Sequence, residues 1–251
     1  MRQKLFERSL EQHHTEDIKY HLFHDPHRRA SGLSDIILGG QDGLVNVLGV
    51  ILGVAAATSD QRIVLVAGLA ATFAESVSMG AVAYTSTLAD ADFYESERAR
   101  EFRHITDVPH LEKNEVGEIY AKKGFEGKLL DRIVETITAN EDVWVAVMMA
   151  EEHQLRPTDR RQALRAALVV GFSAIVGSLI PLAPFAFLPV AHSMWVAVAI
   201  TALVLFGVGA YKARAMVGHP GKSGLEMAVI GILSALGGYA VGVLFKIPPT
   251  P

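Results

Sequence analysis

The sequence predicts an all-α membrane protein with five transmembrane helices per protomer and a helical cytosolic domain inserted between the second and third. Three observations carry that prediction. Half of the 251 residues are hydrophobic, 20% are charged, and the mean hydropathy is +0.28. The apolar residues are segregated from the charges. Residues 163–211 hold Arg165 as their sole Lys, Arg, Asp or Glu, and residues 223–251 hold only Glu226 and Lys246, whereas 89–161 are dense in both signs. The basic residues also fall on alternate connecting segments. With five spans and a cytosolic N-terminus, 21 of the 23 Lys and Arg lie inside and only Arg62 and Lys246 lie outside, as the positive-inside rule requires. The composition excludes a disordered chain, the lack of cysteine excludes a disulfide scaffold, and a net charge of −4 gives no footing for nucleic acid.

Taken in chain order, residues 1–30 are polar and charged throughout, which argues against a signal peptide and for a cytosolic arm. Spans are expected at 33–58, 62–88, 163–187, 190–211 and 223–245, each long enough for the ~20 apolar residues a bilayer demands. Domain limits follow at 31–90 for the first two helices, 91–160 for the insertion and 161–251 for the last three. Ser59-Asp60-Gln61 makes a short outer turn, and no breaker follows Arg62 until Pro109. The second helix is therefore expected to leave the membrane and continue through Asp90, Asp92, Glu95, Glu97 and Glu101. Inside the insertion, helices are predicted over 111–123, 127–139 and 141–155, stopped by Gly124 and Pro157. Pro181, Pro184 and Pro189 mark a broken outer end to the third span.

Ionisable residues within a span are costly and point to function. The first span carries Asp35 and Asp42, with Asn46 one turn further, all on one helical face. The second carries Glu75 and, four residues on, Met79. Two carboxylates, an amide and a thioether would suit a divalent cation, the oxygens favouring Mn(II) and Fe(II) and the sulfur later transition metals. Asp35 also suits the cytosolic interface, Met79 alone would suit packing, and Glu226 reads as a helix-start charge. Gly39, Gly40 and Gly43 around Asp42 would let another backbone approach closely.

The insertion carries a second donor set. Glu97, Glu101 and His104 share a helical face, Glu112 and Glu115 lie three apart, and Met148-Met149-Ala150-Glu151-Glu152 joins soft and hard donors. Carboxylates that face one another repel unless a cation lies between them, which makes a multi-metal site reasonable.

The run from Asp35 to Leu44, the run Glu75-Ser-Val-Ser-Met79-Gly80, Ala91-Asp92-Phe93-Tyr94, Val108-Pro109, Met148-Met149 and the run Gly177 to Leu182 resemble the vacuolar iron transporter family. The resemblance covers roughly residues 31–245. It implies a homodimer of five-helix protomers with a cytosolic metal-binding domain, a secondary transporter rather than an enzyme. Its substrates would be Fe(II), and often Mn(II) or a related divalent metal, moved out of the cytosol in exchange for protons, with no organic cofactor. Its partners would be metal ions, protons and membrane lipid. The resemblance places Asp42 and Met79 at the translocation site and Glu75 and Asp35 beside it. It places Glu101, Glu112, Glu115, Met148, Met149 and Glu152 at the cytosolic metal site. The host membrane would be the inner membrane of a prokaryote or the vacuolar membrane of a eukaryote. Where plant relatives carry a second glutamate after Glu101, this chain has His104, which removes one negative charge.

Two rival readings use the same donors. A membrane-anchored di-iron oxidase would pair Glu101-x-x-His104 with Glu11-x-x-His14. A metal sensor or storage module with an anchor would leave Asp42 and Glu75 unexplained. Five histidines fall at 13, 14, 21, 24 and 27; His14, His21 and His24 could share one helical face and collect metal, or the segment is a polar amphipathic arm on the membrane surface. Residues 218–223 resemble the end of a phosphate-binding loop, but the first glycine and the preceding strand are missing.

Overall fold

The computed structural model describes residues 31–215 and 218–246. The N-terminal arm, with its histidines and the Glu11-x-x-His14 pattern, lies outside the described residues. Compact units comprise Met1–Ser34 and Asp35–Pro251, and the packing described below belongs to the second. Among the described residues there are helices and turns and no strand. The helices are α1 (Ser31–Thr58), α2 (Gln61–Asp107), α3 (Pro109–Lys122), α4 (Gly127–Thr138), α5 (Glu141–Glu151), α6 (Gln162–Leu182), the single turn α7 (Pro184–Phe187), α8 (Val190–Ala215) and α9 (Pro220–Leu244). Five of them, α1, α2, α6, α8 and α9, are long and apolar enough to cross a membrane.

Their packing is that of a protein in lipid. Bulky apolar side chains face outward: Phe73, Phe172, Trp195 and Leu203 are each more than 60% exposed. Small residues face inward. The buried stripe of α8 is Ser193, Ala197, Thr201, Leu205, Gly209 and Ala213, one residue every four. Lipid tails are as apolar as leucine, so close backbone approach and hydrogen bonds between helices replace the hydrophobic drive. The central helix α1 shows both. A Cβ at Gly39 would stand 2.2 Å from the Val170 carbonyl oxygen of α6, and one at Gly238 of α9 would stand 2.0 Å from the Gly49 carbonyl oxygen. Ser234 Oγ donates to the Val45 carbonyl at 2.9 Å, and Ser76 Oγ donates to the Gly171 carbonyl at 2.9 Å. The apolar centre of this packing includes Val47, Leu48, Ile51, Val64 and Phe185.

Helix α2 begins where Asp60 accepts hydrogen bonds from the backbone N–H groups of Arg62 and Ile63, an N-cap that satisfies donors the helix leaves open. It runs for 47 residues, or about 70 Å at 1.5 Å per residue, against a hydrocarbon core of about 30 Å. Its second half therefore projects beyond the apolar zone. There α3 and α5 pack against it, and α4 packs on α3 and α5, around Ile105, Val116, Trp144, Val145, Met148 and Met149. Asp92 and Arg160 pair at 2.7 Å, joining the stem to the segment that leads back to α6.

Several boundaries differ from the sequence expectation for identifiable reasons. Helix α2 runs to Asp107, as the lack of a breaker before Pro109 predicts, but Pro109 opens α3 two residues before the expected start, because its missing N–H is no loss at the first helical position. Helix α5 ends at Glu151 instead of Leu155: the N–H of His153 turns back to the Met148 carbonyl, that of Leu155 to the Met149 carbonyl, and Gln154 takes φ +55°. The broken outer end expected of the third span falls at Ala183, where Pro184 starts α7, while Pro181 is accommodated inside α6. Glu226 is exposed beside Lys222, 3.9 Å away, as expected of a surface charge.

Candidate metal sites

Two groups of polar side chains are brought together by this fold. The first lies within the apolar helices. Asp42, midway along α1, stands against Glu75 of α2 and against Asn46 one turn further along its own helix. Gly39 and Gly43 flank this point, where a Cβ on either would meet a backbone carbonyl oxygen of α6, that of Val170 or of Ala174. Asp42, Glu75 and Met79 are half-buried, and Asn46 is exposed. Helices α1 and α2 run antiparallel through the short turn at Ser59-Asp60. Met79, one turn after Glu75, and Asp35, two turns before Asp42, therefore both lie toward the end from which the α2 stem projects. Asp35 faces the charge of Arg165 at the start of α6. The sequence placed Asp35, Asp42 and Asn46 on one face; the structure adds the juxtaposition with Glu75.

The second group lies on the stem. Glu101 and Glu112 are 2% and 5% exposed, burial that carboxylates rarely show unless paired, and each leaves Oε2 buried without a hydrogen-bond partner. Glu101 Oε1 accepts from His153 Nε2 at 2.9 Å. His104 Nδ1 stands 3.7 Å from Glu101 Oε1 and 3.5 Å from Glu112 Oε1. Two triads result, Glu101–Glu152–His153 and Glu101–His104–Glu112, each with its ligand atoms within 4.8 Å of one another. Glu115 acts on Glu112 and Glu152 from within the same cluster.

The electrostatics follow from this crowding. Burial, and then the charges of Glu115, Glu101 and Glu152, push the Glu112 carboxyl up to about 7. Burial and Glu115 raise Glu152 as well. Burial pulls His153 down, but its hydrogen bond to Glu101 and the charges of Glu101, Glu152 and Glu97 outweigh this and leave it raised. A cation among these groups would relieve the repulsion.

The remaining predicted donors divide. Glu97 is buried at the margin of the cluster, 3.4 Å from Arg100. Met148 and Met149 are fully buried in the small core, one turn before Glu152. His153 escaped the sequence reading, because a helix continued to Leu155 would have turned it about 100° away from Glu152. Its signal was the unbroken donor run Glu151-Glu152-His153.

A model of the VIT family matches residues 33–243. "Vacuolar iron transporter 1" of Tulipa gesneriana is 33% identical over 208 residues, 82% of this chain and 84% of the relative. "Vacuolar iron transporter 1" of Oryza sativa subsp. japonica is 33% identical over 222 residues, 87% and 88% of the two chains. "Vacuolar iron transporter" of Plasmodium falciparum is 29% identical over 224 residues, 85% and 82%.

Proposed function

The chain belongs to the VIT family, and from that premise we propose that it carries Fe(II), and Mn(II) or a related divalent metal, out of the cytosol in exchange for protons. The observation that carries this reading is the Asp42–Glu75 pair within two apolar helices. Two carboxylates facing each other there need compensating charge, and a divalent cation or protons can supply it in turn. Competition between the two for one pair of groups is what couples their movement. Asn46 and Met79 complete the donor set, and Asp35 stands on the approach to it.

The stem cluster acts first. Glu101, His104, Glu112, Glu115 and Glu152, with the thioethers of Met148 and Met149 beneath, collect the cation and raise its concentration at the inner mouth. Glu97 adds negative charge at the edge. The N-terminus and α3–α5 lie in the cytosol, the side where Lys and Arg are concentrated. The polar patch of Asp42, Glu75 and exposed Asn46 would be costly against lipid. A second copy related by a two-fold axis would cover it, making the transporter a homodimer with the pathway near that axis. Alternating exposure of the pair to the two sides completes the cycle.

Proteoliposomes test this reading. Fe(II) uptake should accelerate when an opposing proton gradient is imposed, with protons leaving as metal enters. Uptake indifferent to that gradient would overturn the exchange.

A further inference from the structure

The stem cluster contains two imidazoles whose placement goes beyond metal capture by carboxylates. His153 Nε2 and His104 Nδ1 approach the same oxygen, Glu101 Oε1, at 2.9 and 3.7 Å, and His104 Nδ1 also lies 3.5 Å from Glu112 Oε1. Ligand atoms bound at about 2.1 Å to one cation stand about 3.0 Å apart at right angles and about 3.4 Å apart in a tetrahedron. The observed separations lie close to that range. Glu101 Oε2 and Glu112 Oε2 are buried with no donor, an expense that proteins rarely leave uncompensated. Each triad has one imidazole and two carboxylates, and Glu101 belongs to both.

Resting on the transport reading above, we propose that His153 and His104 are metal ligands, one in each of two neighbouring subsites that share Glu101, and that this nitrogen pair biases the capture centre toward Fe(II) and Co(II) over Mn(II). Imidazole suits iron and the later metals, whereas carboxylate oxygens suit manganese, and intrinsic affinities rise from Mn(II) through Fe(II) to Co(II). At His153 the cation takes the place of the Nε2 proton: an imidazolium releases it to solvent, and a neutral Nε2–H ring gives it up and gains one at Nδ1, so that in either case the ring binds as its Nδ1–H tautomer.

The test uses the full chain in detergent with no gradient. The other eight histidines, at 13, 14, 21, 24, 27, 110, 192 and 219, are replaced by glutamine throughout, so that they contribute no signal. Co(II) is the probe for X-ray absorption, and Co(II) and Mn(II) are titrated by calorimetry. Since Asp42, Asn46, Glu75 and Met79 include no histidine, imidazole scattering reports the stem. It is expected in the parent, reduced to about half in His153→Gln and in His104→Gln, and lost in the double variant. The Co(II)-over-Mn(II) preference should fall at least about tenfold in the double variant, the scale of loss that even an outer partner of a metal site causes. Co(II) bound by the parent without imidazole scattering would overturn the assignment, and that spectrum depends on neither His104 nor His153 variant folding. An unchanged preference in a folded double variant would overturn the selectivity role. A parent that shows the imidazole ligands but moves no metal in proteoliposomes would refute transport and leave the ligands standing, so the two failures are distinct.

Discussion

Replacing Glu112 by glutamine should stabilise the metal-free protein at pH 8 while weakening metal capture. Glu112 is 5% exposed, and its carboxyl titrates at about 7 instead of 4.5. At about 1.4 kcal/mol per pH unit, holding it ionised at pH 8 costs about 3 kcal/mol at most. Solvent reaching the open edge of the cluster screens part of this. Loss of a negative charge from the first turn of α3 removes a further ~0.3–1 kcal/mol of favourable interaction with the helix dipole. A net gain of about 1–2 kcal/mol remains. At about 2–4 °C per kcal/mol for a chain of this size, the unfolding midpoint should rise by about 2–8 °C. The sign depends on pH. A carboxyl raised in the folded state stabilises fully below its unfolded value near 4.5, and that contribution is lost as pH rises through about 7. The gain from glutamine should therefore be present at pH 8 and absent at pH 4.5. Trp144, 4% exposed in the same core, reports unfolding by fluorescence in chelator-treated detergent samples. An equal or lower midpoint for the variant at pH 8, or the same gain at both pH values, would refute the reasoning.

Two further outcomes follow from the geometry. Mn(II) affinity of the stem, measured by calorimetry, should fall as pH drops from 8 to 6, because Glu112, near 7, and the raised Glu152 must release protons to bind. Below those values each displaced proton costs about tenfold per pH unit, and a flat profile would contradict it. Gly238→Leu should cost about 3 kcal/mol or more and lower the yield of folded protein in size-exclusion chromatography, since its Cβ would meet the Gly49 carbonyl oxygen at 2.0 Å. The adjacent Gly237→Leu, whose Cβ meets nothing within 4 Å, should be tolerated.

Much of the fold was legible because a bilayer imposes a length. The long apolar, sparsely charged runs set α1, α2, α6, α8 and α9, and the absence of a breaker between Arg62 and Pro109 set the long stem. Helical periodicity put Asp35, Asp42 and Asn46 on one face and Glu101 with His104 on another. What periodicity cannot supply is pairing between helices. Asp42 meets Glu75 through the way α1 and α2 lie side by side, and that register is a property of two helices together. His153 was hidden by a local event, the turn at Gln154 that ends α5 four residues early and swings the ring back onto Glu101. The burial of Met148 and Met149 in the small core was hidden for a similar reason: donor type says nothing about which neighbours claim a side chain.

The most direct measurement is anaerobic Fe(II) uptake by proteoliposomes holding the parent protein, Asp42→Asn or Glu112→Gln, under the same opposing proton gradient. Asp42→Asn should fall to the rate of protein-free vesicles while still binding metal at the stem. Glu112→Gln should keep its maximal rate and require more Fe(II) to reach it. Uptake by Asp42→Asn at the parent rate, in protein shown to be folded, would contradict a transport path through the Asp42–Glu75 pair.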